Sequence, residues 1–387
     1  MNHSKRENGF IIALLVMMYI LVAMGDNFKG IFVPYFKQEF AVGNTQIGFV
    51  MMFSLFAYAV FQFIGGNLIG KIGYKRVILT GFLIAVLAAV LLMHCNGFIM
   101  LVTAMFLLNA GMALFNISVC TLGPALKVSS TALLMNMIVF AYGIGSTTVQ
   151  KAAGTLLSAG VPWRTFFEFM LFLLLAVTVY LMLIKITYVP LVEKQASNKH
   201  KIFSNPMLYL YIFAIGTYLA SEYGIGNWFV NYMNEVYSLD SAKSSVYVTI
   251  FFAAKTTGVL FSGFIVDRIG HYRSILIYGI LASAFAFSGI ALGKQGLLIF
   301  AVSGLFYSAM FPTLVTTISE NFTSDISYAT GLIMMFGILI AMVVSLLIGV
   351  LNDRVGSRNS FYLIAVTVML STVISQVISY KRRRIKR

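Results

Sequence analysis

Gly66-Asn67-Leu68-Ile69-Gly70-Lys71-Ile72-Gly73-Tyr74-Lys75-Arg76 and Gly263-Phe264-Ile265-Val266-Asp267-Arg268-Ile269-Gly270-His271-Tyr272-Arg273 are one phrase written twice. In both copies a long apolar run precedes the phrase and another follows it. The small residues Gly66, Gly73, Gly263 and Gly270 suit a tight turn where two helices come close. The cations Lys75, Arg76, Arg268 and Arg273 suit the cytoplasmic side of a membrane. A phrase repeated once in each half of a chain implies two copies of one folding unit, related by an axis along the membrane normal.

The rest of the sequence fits a membrane setting. Of 387 residues 60% are hydrophobic and only 10% are charged, with a mean hydropathy of +0.91. An ordinary soluble domain carries about 25% charged residues. Apolar runs long enough to cross a bilayer as helices read as 10–36, 45–70, 75–95, 98–122, 131–158, 163–187, 206–233, 244–266, 272–292, 296–318, 326–351 and 360–380. The longest polar break, 188–205, divides them into six and six. The expected organisation is an N-terminal half 1–187, a linker 188–205, and a C-terminal half 206–387 ending in a short basic tail.

The net charge of +15 does not form a nucleic-acid stripe. With the N-terminus inside, 18 of the 27 Lys and Arg fall on cytoplasmic segments, 6 outside and 3 within spans. That bias places both termini in the cytoplasm, and the short loops with no targeting peptide suit a bacterial inner membrane. Arg354 and Arg358 are the awkward pair, outside by this count. Cys95 and Cys120 offer no disulfide framework. The four histidines are scattered, and neither a metal nor a cofactor is expected. Gly65-x4-Gly70-Lys71 imitates most of a P-loop, but Ile72 stands where the Mg²⁺-binding Ser or Thr belongs, and a membrane helix precedes it. No Ser/His/Asp or Cys/His set appears, so an enzyme is not expected, and transport would have to use an ion gradient or run downhill.

The repeated phrase resembles the signature loop of the major facilitator superfamily, G-x-L-x-D-R-x-G-R-[KR]-[KR]. The second copy keeps Asp267 and Arg268; the first has Gly70 in place of the acid. The resemblance implies an all-α membrane protein of twelve transmembrane helices in two pseudo-symmetric six-helix bundles, working as a monomer. Within that superfamily, Asn27-Phe28-Lys29-Gly30-Ile31-Phe32-Val33-Pro34-Tyr35-Phe36, Glu222-x4-Asn227-Trp228 and Phe311-Pro312-Thr313 are similar to segments of fucose–proton symporters and bacterial glucose transporters. Two acids of the fucose branch are missing: Gly30 and Asn116 stand in their places. Proton coupling, if present, would then fall to Asp26 and Glu222.

A charge inside hydrocarbon costs at least ~2.5–3.5 kcal/mol, so it persists where it faces a cavity or a partner. Asp26 and Glu222 lie inside the first and seventh runs, Lys29 and Lys255 near them. These four are the expected coupling or gating groups. The plain alternative for Asp26 is a local i, i+3 pair with Lys29. A Glu222–Lys255 pair would keep Glu222 ionised and make it a gate or polar anchor instead of a proton carrier. Sugar sites combine amides and hydroxyls with an aromatic face. In the resembling family the first, fourth, seventh and tenth helices line the cavity, which nominates Asn27, Asn109, Asn116, Asn227, Trp228, Asn231 and Tyr307. The alternatives are interhelical hydrogen bonds for the asparagines and an interfacial position for Trp228. Phe311-Pro312 is expected to break its helix. The reading that follows is proton-coupled uptake of a monosaccharide or similar neutral polar solute. Its rival is a proton-driven exporter of drugs or lipophilic cations.

Overall fold

A computed structural model describes residues 5–126, 128, 131–186, 202–322 and 326–385. Twelve long helices account for most of them. The first half holds α1 (Lys5–Ile31), α2 (Asn44–Ile72), α3 (Tyr74–Met93), α4 (Phe98–Ala125), α5 (Thr131–Ser158) and α6 (Trp163–Leu183). The second holds α7 (Pro206–Tyr237), α8 (Ser241–Ile269), α9 (His271–Ala291), α10 (Leu297–Val302 continued by Gly304–Ser319), α11 (Ile326–Val355) and α12 (Ser357–Ile385). Residues 187–201, most of the expected linker, lie outside the described residues, as do Lys127, Lys386 and Arg387.

Eleven of these helices are long and apolar enough to cross a membrane. The exception, α7, is long enough at 32 residues, but Ser221, Glu222, Asn227, Asn231, Asn234 and Glu235 interrupt its hydropathy. It tolerates them because it is largely wrapped by α1, α11 and α12. Within the first half α1 packs on α5, α2 and α3 on α4, and α3 on α6; the second half repeats this with α7 on α11, α8 and α9 on α10, and α9 on α12. Between the halves α2 meets α11, α5 meets α8, and α1 meets α7.

Two helix ends differ from the sequence expectation. The first run, read as 10–36, stops at Ile31 and restarts as a short helix, Val33–Phe40, because Pro34 sits in its first turn, where a missing N–H costs nothing. In α10 the interruption falls at Ser303, not at Pro312, which stays inside Gly304–Ser319. Gly304 passes so close to α8 that a Cβ there would lie 2.1 Å from the Phe251 carbonyl oxygen. The interruption coincides with that approach and not with the proline.

The turn glycine of the repeated phrase recurs at four helix junctions. Gly73 and Gly270 turn the chain on the face that carries both chain ends, here the terminal face. Gly160 and Gly356 do so on the opposite, distal face. All four hold φ between 81° and 90°, a region that favours glycine. Asp353-Arg354-x-Gly356-x-Arg358 is thus a further copy on the distal face, which accounts for the two arginines that looked misplaced.

Candidate functional site

The halves are sealed to one another on the distal face. Gly30 of α1 lies against Gly226 of α7, where a Cβ would be 1.9 Å from the Gly226 carbonyl oxygen. An aspartate at position 30, as in the fucose branch, has no room in this packing. Around this contact runs a polar cluster. Lys37 pairs with Glu235 and donates to Asn44 Oδ1 at 2.9 Å; Asn231 Nδ2 donates to the same oxygen at 3.1 Å. The Asp353 carboxylate, at the end of α11, accepts from the Asn44 and Thr45 backbone N–H groups at 3.1 and 2.7 Å and from Thr45 Oγ1 at 2.7 Å. Those are the first two residues of α2, whose own N-cap, Gly43, has no capping side chain. The second half therefore caps a helix of the first.

Towards the terminal face α5 and α8 part. A cavity of about 370 Å³ lies between them, lined by Asn136, Tyr142, Lys255, Thr256 and Asp267 with apolar side chains between. It narrows at Gly143, where a Cβ would lie 2.2 Å from Thr256 Oγ1. At Gly263, lower on α8, a Cβ would meet nothing within 4 Å, so the close approach expected there is absent in this arrangement. Just before the first copy of the loop the tight glycine is Gly65, where a Cβ would lie 2.7 Å from Leu114 Cδ2, while Gly66 is loosely packed. Lys75 donates to the Met182 and Ile184 carbonyl oxygens at 3.1 and 2.7 Å, closing the C-terminal end of α6. Arg76, Arg268 and Arg273 are exposed.

Two acid–lysine pairs sit within the bundles, one in each half. In the first, Lys29 is 1% exposed; its Nζ lies 3.4 Å from Asp26 Oδ1 and donates to Asn109 Oδ1 at 2.8 Å. Asp26 Oδ2 accepts from the Tyr142 hydroxyl at 3.1 Å. In the second, Lys255 of α8 pairs with Glu222 of α7, both about one-fifth exposed. Tyr142 and Tyr223 lie within electrostatic reach of both acids, and Tyr19 and Tyr58 within reach of Asp26. The two pairs thus belong to one tyrosine-walled centre, into which the α5–α8 cavity leads through Tyr142 and Lys255.

The nominated sugar ligands divide by place. Asn116 accepts from the Tyr19 hydroxyl at 2.8 Å, beside that centre. Asn109 is engaged by Lys29. Asn27 donates to Ser146 Oγ at 3.0 Å and to the Ala23 carbonyl oxygen, and accepts from Gln150 Nε2 at 3.1 Å, tying α1 to α5. Asn227 is 2% exposed and its Nδ2 has no protein acceptor among the described residues. Trp228 is fully buried and donates to Ser345 Oγ on α11 at 3.4 Å. The Tyr307 hydroxyl lies 2.5 Å from Ser221 Oγ, inside the second bundle, and Asn231 belongs to the distal seal. Tyr19, Tyr58, Tyr142 and Tyr223 were not nominated from sequence. Their signal was position: tyrosines of membrane helices concentrate at the ends, and these lie in the middle.

The model of the Major Facilitator Superfamily matches residues 15–245 and 211–386. The chain belongs to the major facilitator superfamily. A glucose/galactose transporter of Brucella abortus is 23% identical over 377 residues, covering 92% of this chain and 91% of that protein. The L-fucose-proton symporter of Escherichia coli is 22% identical over 402 residues, covering 92% and 90%. A solved structure of the E. coli fucose:proton symporter superposes with a TM-score of 0.67 at 17% identity, covering 95% of this chain and 98% of that one. As members of this superfamily, the chain and its relatives are transporters, not enzymes.

Proposed function

We propose that this major facilitator protein carries a monosaccharide, or a similar neutral polar solute, into the cell together with a proton, and that the arrangement described is its inward-open state. The observation that carries the reading is the Glu222–Lys255 pair at the blind end of the α5–α8 cavity, next to Tyr142 and its partner Asp26. The relatives that transport glucose, galactose and fucose support the solute class.

The centre suits such a solute. Asp26 with Lys29, and Glu222 with Lys255, sum to no net charge, so a neutral molecule enters without an opposing field. Tyrosine rings offer a flat apolar face and their hydroxyls can exchange hydrogen bonds with a sugar, the mixture expected of a carbohydrate site. Each acid is paired within its own half. Rocking the halves leaves these pairs intact and breaks the distal seal instead. The pair with Lys255 does form, the arrangement that favours a gate over a proton carrier, so proton uptake at Glu222 requires Lys255, which lines the cavity, to leave it. Proton transfer and the cavity's polar lining are coupled through that one exchange. The charge bias of the loops supports a cytoplasmic terminal face, on which the open cavity faces the cytoplasm.

The test is uptake of a panel of labelled monosaccharides into proteoliposomes with either an acidic exterior or an acidic interior. Accumulation of one or two sugars driven only by outside acid is the expected result. No sugar uptake under either gradient overturns the reading, and efflux of a lipophilic cation that Glu222→Gln abolishes would replace it with an exporter.

A further inference from the structure

The second half carries a groove that the transport centre does not use. It lies on the outer surface between α9 and α12, with a volume of about 580 Å³. Leu276 and Ile280 of α9 and Met369, Val373, Val377 and Tyr380 of α12 form most of its walls. Ser283, Thr372 and Gln376 also line it, but Ser283 and Thr372 spend their hydroxyls on the Gly279 and Val368 carbonyls of their own helices, and Gln376 donates to the Tyr272 carbonyl oxygen at 3.1 Å. The walls are therefore effectively apolar. The groove runs from position 276 to 283 on α9 and from 369 to 380 on α12, roughly 10–16 Å of helix. That matches the depth of one leaflet, half of a hydrocarbon core about 30 Å thick.

Its mouth, at the terminal face, is basic. Helical periodicity carries the groove face of α9 back from Leu276 to Arg273, and that of α12 on from Tyr380 to Arg383, one turn beyond the apolar wall in each case. Because side chains lean towards a helix's N-terminus, Arg383 leans back over the groove. Glu320 is already engaged by Arg382 and His271, while Arg273, Lys381 and Arg383 have no carboxylate partner among the described residues. Both arginines are exposed.

We infer that this groove holds one acyl chain of an anionic phospholipid from the surrounding leaflet, with the lipid phosphate bound between Arg273 and Arg383. Guanidinium groups suit phosphate by their planar fork of donors. A zwitterionic lipid fills the same groove but brings a choline cation to a mouth that is already positive, so charge decides the occupant. The site lies on the outer side of the second bundle and does not depend on which solute is carried.

The experiment is native mass spectrometry of the full-length protein titrated with dioleoyl phosphatidylglycerol or dioleoyl phosphatidylcholine. The expected result is one tightly retained phosphatidylglycerol per monomer, in strong preference to phosphatidylcholine. Arg273→Gln with Arg383→Gln should weaken that preference roughly fivefold for each arginine removed, the size of one juxtamembrane cation's attraction to an anionic lipid. Arg273→Lys with Arg383→Lys should retain most of it. Ile280→Trp, at a lipid-facing position, should block the groove and lower retention of both lipids. Equal binding of the two lipids by the unaltered protein overturns the inference without any variant. So does an unchanged preference in the double glutamine variant. A dimer that Ile280→Trp dissociates would assign the groove to a second copy of this chain and also overturn it.

Discussion

Asp353→Ala should open the distal face. The carboxylate caps the N-terminus of α2 through two backbone N–H groups and the Thr45 hydroxyl. Gly43 at the N-cap position offers no side chain of its own. Loss of an N-cap costs about 0.5–2 kcal/mol, and a carboxylate near a helix N-terminus adds about 0.3–1 kcal/mol at an exposed site. Asp353 is exposed, so the lower parts of both ranges apply, about 1–2 kcal/mol together. The bond exists only while the two halves touch, so nearly all of that energy separates the distal-closed from the distal-open state. A shift of 1–2 kcal/mol changes the ratio of two states by roughly 5–30-fold. Spin labels at Ala159 and Gln295, one on the distal end of each half, report it as a second, longer distance in a pulsed dipolar measurement, with Cys95 and Cys120 replaced. Asp353→Asn, which keeps one acceptor but loses the charge, should fall between. An unchanged distance distribution in Asp353→Ala, with normal thermal stability, would refute the idea that this cap holds the halves together.

Other expectations follow from the same geometry. Gly30→Ala places a methyl group 1.9 Å from the Gly226 carbonyl oxygen, so the same labels should move apart; overpacking of this kind costs about 1–3 kcal/mol. Glu222→Gln should abolish proton-driven accumulation and lower the melting temperature, since it strands the Lys255 charge; Glu222→Gln with Lys255→Met should recover the melting temperature but not the accumulation. Breaking a buried pair costs up to about 3–5 kcal/mol, less here because both groups are part-exposed. Glu39 accepts from Arg164 Nη1 at 3.0 Å and from Trp163 Nε1 at 2.6 Å. Burial disfavours its charge, but these bonds more than offset that and hold the carboxyl below its ordinary value. Its contribution is thus fully present above the unfolded value, about 4.3, and is lost as pH falls through the lower folded one. A melting curve taken from pH 6 to pH 3 should fall more steeply for the unaltered protein than for Glu39→Gln.

Much of the architecture was legible because membranes leave few options. Backbone groups in lipid must be satisfied within helices, so apolar runs fixed the number of spans, and the repeated loop fixed their division into halves. The two acid–lysine pairs were legible for a related reason: with so few charges inside the spans, an acid there has few possible partners. What escaped was set by contacts between distant residues. Asp353 and Asn44 are 309 positions apart, and nothing local marks them as partners. The distal turn at Gly160 escaped because only the glycine conformation is shared there; the acid and most of the basic residues are missing. The central tyrosines escaped because tyrosine is expected at span ends, and depth is poorly measured when helix boundaries shift by several residues. Trp228 looked interfacial for its chemistry, and its burial against α11 depends on a neighbour more than a hundred residues away.

The polarity of α7 also bears on how the protein is made. A translocon releases a segment into lipid according to its hydrophobicity, with a penalty of about 2.5–3.5 kcal/mol for an acid at the helix centre. Eleven helices pass that filter by composition, but α7, with Glu222 and a row of amides, is poorly equipped to do so alone. Its partners in burial include α11 and α12, which the ribosome delivers well after it. The second half should therefore mature late, with α7 held near the insertion machinery until the C-terminal helices arrive. Truncation after α10 should leave α7 exposed to quality-control proteases.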